Sequence, residues 1–435
     1  MHGNSAKRIR FSSSKRRTVE GVFDGGQVSS DGGLVLIRET DRKLGLLAGV
    51  ARRLDDGRQA GKVRHSTVTL LRQRVMAMCA GWEDLNDAAQ LGEDPVHQLA
   101  VGADALGSAA TLSRFENARN RECAWAVNTE LVEQFIRSHK TAPAYLILDF
   151  DATDLPVHGQ QEGRFFHGYY DHHCFLPLYV FCGDQLLVAY LRRSNIDAAK
   201  HAWAILKLLV RRIREEWPRT KIVFRADSGF CRDRILTWCD RHDVKYVVGL
   251  ARNERLLAEN AGLMREAQER FQRTGQKQRL FAAFDYAAGT WRQVRWVIAK
   301  AEHTDKGANP RFIVTNIVGD AQVIYDRRYC ARGEMENRVK EQMMLFADRV
   351  SAHRWWANQW RVLLSALAYT LLESVRRLAL AGTALAQATC QTIRLKLLKI
   401  GTVIERKLSV VRLHFSSAHP LQALFCQAVA VLGPP

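Results

Sequence analysis

Apolar positions along this chain fall into two regimes, and their order predicts its elements. From about 65 to 140 the spacing is helical. Residues 67–82 repeat their apolar positions at three- and four-residue intervals. Ser113 and Glu116 read as a capping box that opens the next helix. From 144 to 251 the period shortens. Residues 145–150, 178–182 and 185–191 read as three strands of an antiparallel meander. Asp197 then caps a long amphipathic helix carrying Trp203, Leu206, Leu209 and Ile213. A fourth strand at 221–226, a helix through Ile235 and Leu236, and a fifth strand at 245–250 complete the series. After 253 comes a charged helix, then strand-like alternation at 280–286, 291–299 and 311–314. Helical periodicity resumes near 323, continues through 355–380 and gives way to a basic stretch with Arg394, Lys396, Lys399, Arg406, Lys407 and Arg412.

The expected fold class is mixed α/β. Residues 1–60 form a basic arm with short strands, around 34–37 among others, and 61–142 a helical region for partner binding or dimerisation. An α/β core at 143–252 is interrupted by a β-rich insertion at 253–322. Residues 323–350 supply a last core helix, and 351–435 are helical and basic.

Charge changes the picture more than composition does. An apolar fraction of 47% and a charged fraction of 25% are ordinary, but 64 Lys and Arg against 45 Asp and Glu leave a net charge of +19. That excess points to a polyanionic partner. No run reaches the ~18 apolar residues of a membrane span. The basic N-terminus (Lys7, Arg8, Arg10, Lys15, Arg16, Arg17) lacks the apolar centre of a signal peptide. Nine scattered cysteines without a Cys-x-x-Cys pair are expected as reduced thiols in a cytoplasm.

Three carboxylates then stand out. Asp151 ends the apolar run 145–150, Asp227 ends 222–226, and Glu336 lies on a charged helix. An acid at the C-terminal end of a buried strand is held rigidly beside a cleft, as metal-assisted phosphodiester chemistry requires. Asp149 and Asp151 are two apart, so both point to one face, where like charges need a cation or a proton between them. Either can serve as first ligand. Tyr329, Arg332, Glu336 and Lys340 recur at i, i+3, i+7 and i+11 and line one helix face. Arg327, Arg328 and Arg338 add more cations than that helix can pair internally, which suits phosphates held beside the glutamate.

These segments together resemble the bacterial insertion-sequence transposases of the Asp-Asp-Glu superfamily. Their ribonuclease-H-like core is interrupted by a β insertion before the last acid. The matching motifs are Leu-Asp-Phe-Asp-Ala-Thr-Asp at 148–154, Phe-Arg-Ala-Asp-Ser-Gly-Phe at 224–230, and Tyr329-x-x-Arg332-x-x-x-Glu336. The pattern expects a lysine seven positions after the glutamate. Met343 stands there, and Lys340 stands four positions after. The resemblance implies Asp151 as first ligand with Asp149 as fallback, Asp227 and Glu336 as the others, and Arg332, Tyr329 and Lys340 in supporting catalytic roles. It implies two Mg²⁺ ions, with Mn²⁺ able to substitute, hydrolysis at element ends, and transfer of the freed 3′-hydroxyl into target DNA. The partners expected are double-stranded DNA, as terminal repeats and target, and a homodimer or higher multimer. No membrane is involved, and the expected location is the bacterial cytoplasm at the nucleoid.

DNA contacts are expected from Arg114, Asn117 and Arg121, and from Arg328 and Arg338 near Glu336. Trp291 and Arg295 would share the polar face of an insertion strand, where Trp291 could stack on an extruded base, with Trp296 facing the core. His167, His172, His173 and Cys174 match no zinc spacing and are expected in a loop of satisfied or DNA-facing histidines. Two rivals keep the fold: a nuclease that cuts without joining, and a DNA-binding relic that no longer catalyses. A glycosidase using paired carboxylates has no reason to carry this charge.

Overall fold

The computed structural model describes residues 8–434. Residues 1–7, including Lys7 of the basic arm, and Pro435 lie outside the described residues. The described residues divide into two compact units, one of residues 8–47, 56–115 and 374–434, the other of 48–55 and 116–373.

The second unit is built on one mixed sheet. Its main strands are β1 (Tyr145–Ala152), β2 (Leu178–Cys182), β3 (Gln185–Tyr190), β4 (Lys221–Ala226), β5 (Val244–Leu250), β6 (Gln278–Tyr286), β7 (Arg295–Thr304) and β8 (Arg311–Thr315). Their order across the sheet is β6-β7-β8-β5-β4-β1-β2-β3. The meander β1-β2-β3 is antiparallel, and β4 runs parallel to both β1 and β5. Order 3-2-1-4-5 with β2 antiparallel is the ribonuclease-H-like arrangement. Strands from the 253–322 segment extend this same sheet, because β8 pairs antiparallel with β5.

Near-continuous apolar sequence makes the central strands, since both sheet faces are covered. One face packs under helices α1 (Arg121–Arg137), α2 (Ala202–Glu216) and α3 (Asp233–Arg241), with Phe135, Leu206, Ile213 and Leu236 against Leu148, Phe150 and Phe224. On another part of the sheet, Val247, Ile298 and Ile313 pack with Ile324 and Tyr325, which brings the helical segment after β8 onto the sheet. A long helix, Trp355–Ala379, adds Tyr369, whose hydroxyl donates to the Asp184 carbonyl at 2.6 Å and whose ring meets Phe181 edge-on.

Two capping expectations are corrected. Ser113 and Glu116 lie inside a helix, Ala109–Asn117, and α1 is capped instead by Asn120, which accepts from the Cys123 amide at 3.0 Å. Glu116 is buried and paired with Arg361. The second correction is Asp197, which closes a turn by accepting from the Ala199 amide, while α2 starts only at Ala202.

The first unit holds helices Leu34–Leu44, Thr67–Ala80 and Gln422–Leu432 and a three-stranded sheet of Val28–Ser29, Thr402–Arg406 and Val411–Phe415. Residues 34–37 are therefore helical, not strand-like. Buried Asp31 ties this unit together by accepting from Trp82 Nε1 at 2.6 Å and Lys399 Nζ at 2.6 Å and pairing with His97 Nε2 at 2.9 Å. These contacts hold its carboxyl well below the usual range despite burial. Arg394 is also structural: it donates to the carbonyls of Cys79 (3.0 Å) and Met78 (3.1 Å), closing the end of helix Thr67–Ala80.

Candidate active site

Register brings the first two acids together. Phe150 pairs with Ala226 across β1 and β4, so Asp151, still paired with Tyr179 of β2, and Asp227, the first residue past β4, lie side by side at the C-terminal end of the strand pair. Asp227 is held by the turn it starts: its Oδ1 accepts from the Gly229 amide at 2.8 Å and opens the short helix Ser228–Phe230. Asp151 Oδ1 accepts from the Ala152 amide at 2.9 Å.

One pleat back, the same register sets Asp149 opposite Arg225. Both are buried, and the guanidinium grips the carboxylate in a two-point fork, Nη2 to Oδ2 at 2.7 Å. Burial pushes the Asp149 carboxyl up and Arg225 pulls it back. Asp149 is committed to a structural ion pair, which leaves Asp151 as the acid facing the cleft. Arg225 also donates to the Arg328 carbonyl at 2.7 Å, tying the strand pair to the helical segment that carries the third acid.

That segment takes three windings in turn. It is wide (i→i+5) over Ile324–Tyr329, tight over Cys330–Arg332, and α-helical from Gly333 to Met343, here α4. Wide turns of this kind concentrate at functional sites. Here the change sends the Tyr329 hydroxyl to the end of β5, where a Cβ on Gly249 would lie 2.6 Å from it and 2.7 Å from the Ser228 amide nitrogen. Burial, and to a lesser extent Asp227, raises the Tyr329 phenol. Arg332 reaches the strand edge, with Nη1 to Asp151 Oδ2 at 3.0 Å and Nη2 to Glu336 Oε1 at 3.3 Å. Burial opposes its charge, but Asp151, Tyr329 and Asp227 outweigh that and raise its pKa. Burial, with the charges of Asp227 and Glu336 working against Arg332, raises the Asp151 carboxyl from 3.8 to about 6. The motif thus converges on one edge of the sheet: Asp151, Asp227, Tyr329, Arg332 and Glu336. Lys340 is exposed one turn beyond Glu336 on α4.

The family Transposase DDE domain group 1 matches residues 11–434. The chain belongs to this family. It is a DNA transposase, an enzyme that cuts and rejoins DNA strands. Among solved structures, the chain is similar to a piggyBac transposase in a synaptic complex with hairpin DNA, seen by cryo-EM, at 9% identity and a TM-score of 0.45, over 85% of this chain and 80% of that one. Comparison with curated proteins gave no match.

Transposases of this family use divalent metal ions. The donor set of this transposase fits such an ion: three hard carboxylates share one edge, and Asp151, raised first by burial and then by Asp227 and Glu336, would gain from a cation there. Among the described residues no three acidic, His or Cys side chains already surround a common point. Arg332 bridges two of the acids and holds that place with its own charge.

The DNA-contact candidates divide. Arg114, Asn117 and Arg121 are exposed. Arg328 is exposed, its guanidinium 5.4 Å from the Tyr145 ring centre. Arg338 is engaged with Asp184 (2.6 Å) and Glu341 (2.7 Å). The two insertion-strand residues differ from expectation. β7 begins only at Arg295, which is buried and bonded to Asp240, Asp233, Thr237 and Tyr246. Trp291 precedes the strand and packs edge-on against Tyr286 at 5.7 Å, half-buried against the core. Neither is an open DNA-facing side chain. Arg225 and Gly249 escaped the sequence reading; an arginine inside the apolar run 222–226, level with Asp149, was the signal for the first.

Proposed function

We infer that this transposase belongs to an insertion sequence. It would free the element's ends by metal-dependent hydrolysis and transfer the resulting 3′-hydroxyl into target DNA. Asp151, Asp227 and Glu336 serve as the ligands, with Mg²⁺ as the natural ion and Mn²⁺ as substitute. The observation that carries this reading is the convergence of Asp151 and Asp227, through strand register, with the Arg332–Glu336 helix. Bound there, two such ions would supply an activated oxygen nucleophile and stabilise the leaving oxygen. The chain's own residues do the rest. Asp227 is kept in position by the Gly229 amide and Asp151 by the Ala152 amide, so neither needs to reorganise. Asp151, Asp227 and Glu336 would hold the ions, and Arg332, whose planar fork suits a phosphate oxygen, would meet one. Tyr329 orients from the end of β5, and Lys340 and Arg328 hold the strand's phosphates. The enzyme would work as at least a dimer that pairs two ends, in the bacterial cytoplasm at the nucleoid.

The test is a joining assay with labelled element-end DNA and a supercoiled target in Mg²⁺. Joined product that requires a free 3′-hydroxyl is the expected result. Nicking that never yields joined product, in Mg²⁺ or Mn²⁺, would leave a nuclease and remove the strand-transfer half of this reading.

A further inference from the structure

The chain leaving Asp151 runs into a small sheet with no part in the site described above. Leu155–Pro156 pairs with His172–Phe175, which pairs with Phe165–His167. The base of this hairpin is anchored. Cys174 and Phe175 are buried, the Ser194 hydroxyl donates to the Phe165 carbonyl at 2.8 Å, and the Phe175 ring meets Trp355 edge-on at 5.3 Å. Strand alternation sends other residues outward. Phe166 stands opposite His173, their rings 5.7 Å apart, and is 55% exposed. At the turn, where Asp171 is left-handed (φ 57°), Tyr169 is 85% exposed and braced edge-on by Tyr170 at 5.0 Å. Rings this exposed contribute little to the fold; they offer flat apolar faces to something else.

What that something is follows from position. His172 Nε2 lies 2.8 Å from Asp154 Oδ2, and Asp154 is three residues past Asp151. The Tyr170 ring lies 6.1 Å from the His172 ring, beside that contact. A scissile phosphate brought to Asp151 therefore carries its neighbouring nucleotides past this tip. Arg164, His167 and His173 lie on or next to the hairpin's strands, and Arg193 bridges to Phe175 at its base. Intact duplex hides its base faces in the stack, whereas a nicked or unpaired step exposes them, and aromatic side chains take such faces without regard to sequence.

We propose that the 165–175 hairpin is a base-stacking element, with Tyr169 and Phe166 receiving a nucleobase unstacked at the cleavage point. The proposal rests on the reading of Asp151 as a catalytic ligand. It moves the stacking role from Trp291, which the core occupies, to a hairpin beside the first acid.

The test uses the full chain in Ca²⁺ with a duplex carrying 2-aminopurine beside a nick and the same duplex without the nick. Wild type is expected to bind the nicked DNA about tenfold more tightly and to change the 2-aminopurine fluorescence. Phe166→Ala/Tyr169→Ala should lose both effects while its affinity for intact duplex stays within about twofold, and Tyr169→Trp should keep them. Retention of the preference and the signal in the double variant would overturn the proposal. So would an equal loss of affinity for both DNAs, which marks a backbone contact or damage to the fold. Asp227→Asn separates the two readings: it should abolish Mg²⁺-dependent cleavage and leave the nick preference intact. Cleavage surviving in that variant defeats the carboxylate assignment alone.

Discussion

Asp149 and Asp151 share a strand face and a residue type, yet partners give them opposite roles. Asp149 meets Arg225 in a buried two-point fork, whereas Asp151 has a single contact to Arg332 and faces Asp227 and Glu336 besides. Removing one partner of a buried pair leaves an uncompensated charge, so Arg225→Met should cost about 3–5 kcal/mol in urea unfolding. A cost near zero would remove the structural role assigned to the pair. Asp151 behaves in the opposite sense. Its folded pKa, about 6, lies above its ordinary 3.8. The protonated form is favoured by folding, so that contribution is complete below pH ~4 and is lost as pH rises through 6. Asp151→Asn should therefore stabilise the metal-free protein above pH 6, by roughly 3 kcal/mol, and leave it unchanged near pH 4. Thermal unfolding across that range measures the crossover, and a variant destabilised at pH 7 would contradict it. Arg332 invites a third test. Because it neutralises Asp151 and Glu336 in the absence of an ion, Arg332→Gln should tighten Ca²⁺ binding severalfold in calorimetry while impairing cleavage. Weaker Ca²⁺ binding would make Arg332 a support of the ion site instead of its competitor.

At the scale of elements, the helix bearing Tyr329 is aligned by backbone contacts that periodicity does not reveal. Spacing alone puts Tyr329, Arg332 and Glu336 on one face, and the structure keeps them together through three windings and the Arg225 bond to the Arg328 carbonyl. Gly249 lets that helix approach β5. Gly249→Ala should press the Tyr329 hydroxyl and the Ser228 amide, displace Asp227, and lower cleavage by tenfold or more, on the order expected when a catalytic group moves by about 1 Å. Tyr329→Phe alone should be milder, and equal activity for Gly249→Ala and wild type would deny the close approach any role. The central strands were legible because burial on both faces leaves near-continuous apolar runs. Residues 34–37 misled because four apolar residues fit a strand as well as the start of a helix. Arg295 misled because the alternation 291–295 lies mostly ahead of the strand, which starts at Arg295 with Asp240 and Asp233 meeting its side chain inside. The hairpin Thr402–Arg406 with Val411–Phe415 was hidden by basic residues that a surface strand tolerates.

At the scale of the whole molecule, the charge of +19 sets the conditions under which any of this can be measured. Several arginines are spent internally, among them Arg225, Arg295, Arg338 and Arg394. The remaining excess still binds DNA by counterion release, so affinity for nonspecific duplex should fall about 10³-fold between 50 and 200 mM salt. An affinity flat over that range would rule out a phosphate-dominated interface. The family match across residues 11–434 agrees with a chain whose chemistry and DNA grip belong to one protein.

The most direct measurement is cleavage of labelled element-end DNA in Mg²⁺ by wild type, Asp151→Asn, Asp227→Asn, Glu336→Gln and Asp149→Asn, each checked for DNA binding and folding. The account predicts that the first three variants bind but do not cut. Asp149→Asn, which keeps the three ligands, should cut in proportion to its folded fraction. A folded Asp149→Asn protein that cannot cut, beside an Asp151→Asn protein that can, would contradict the assignment of the site.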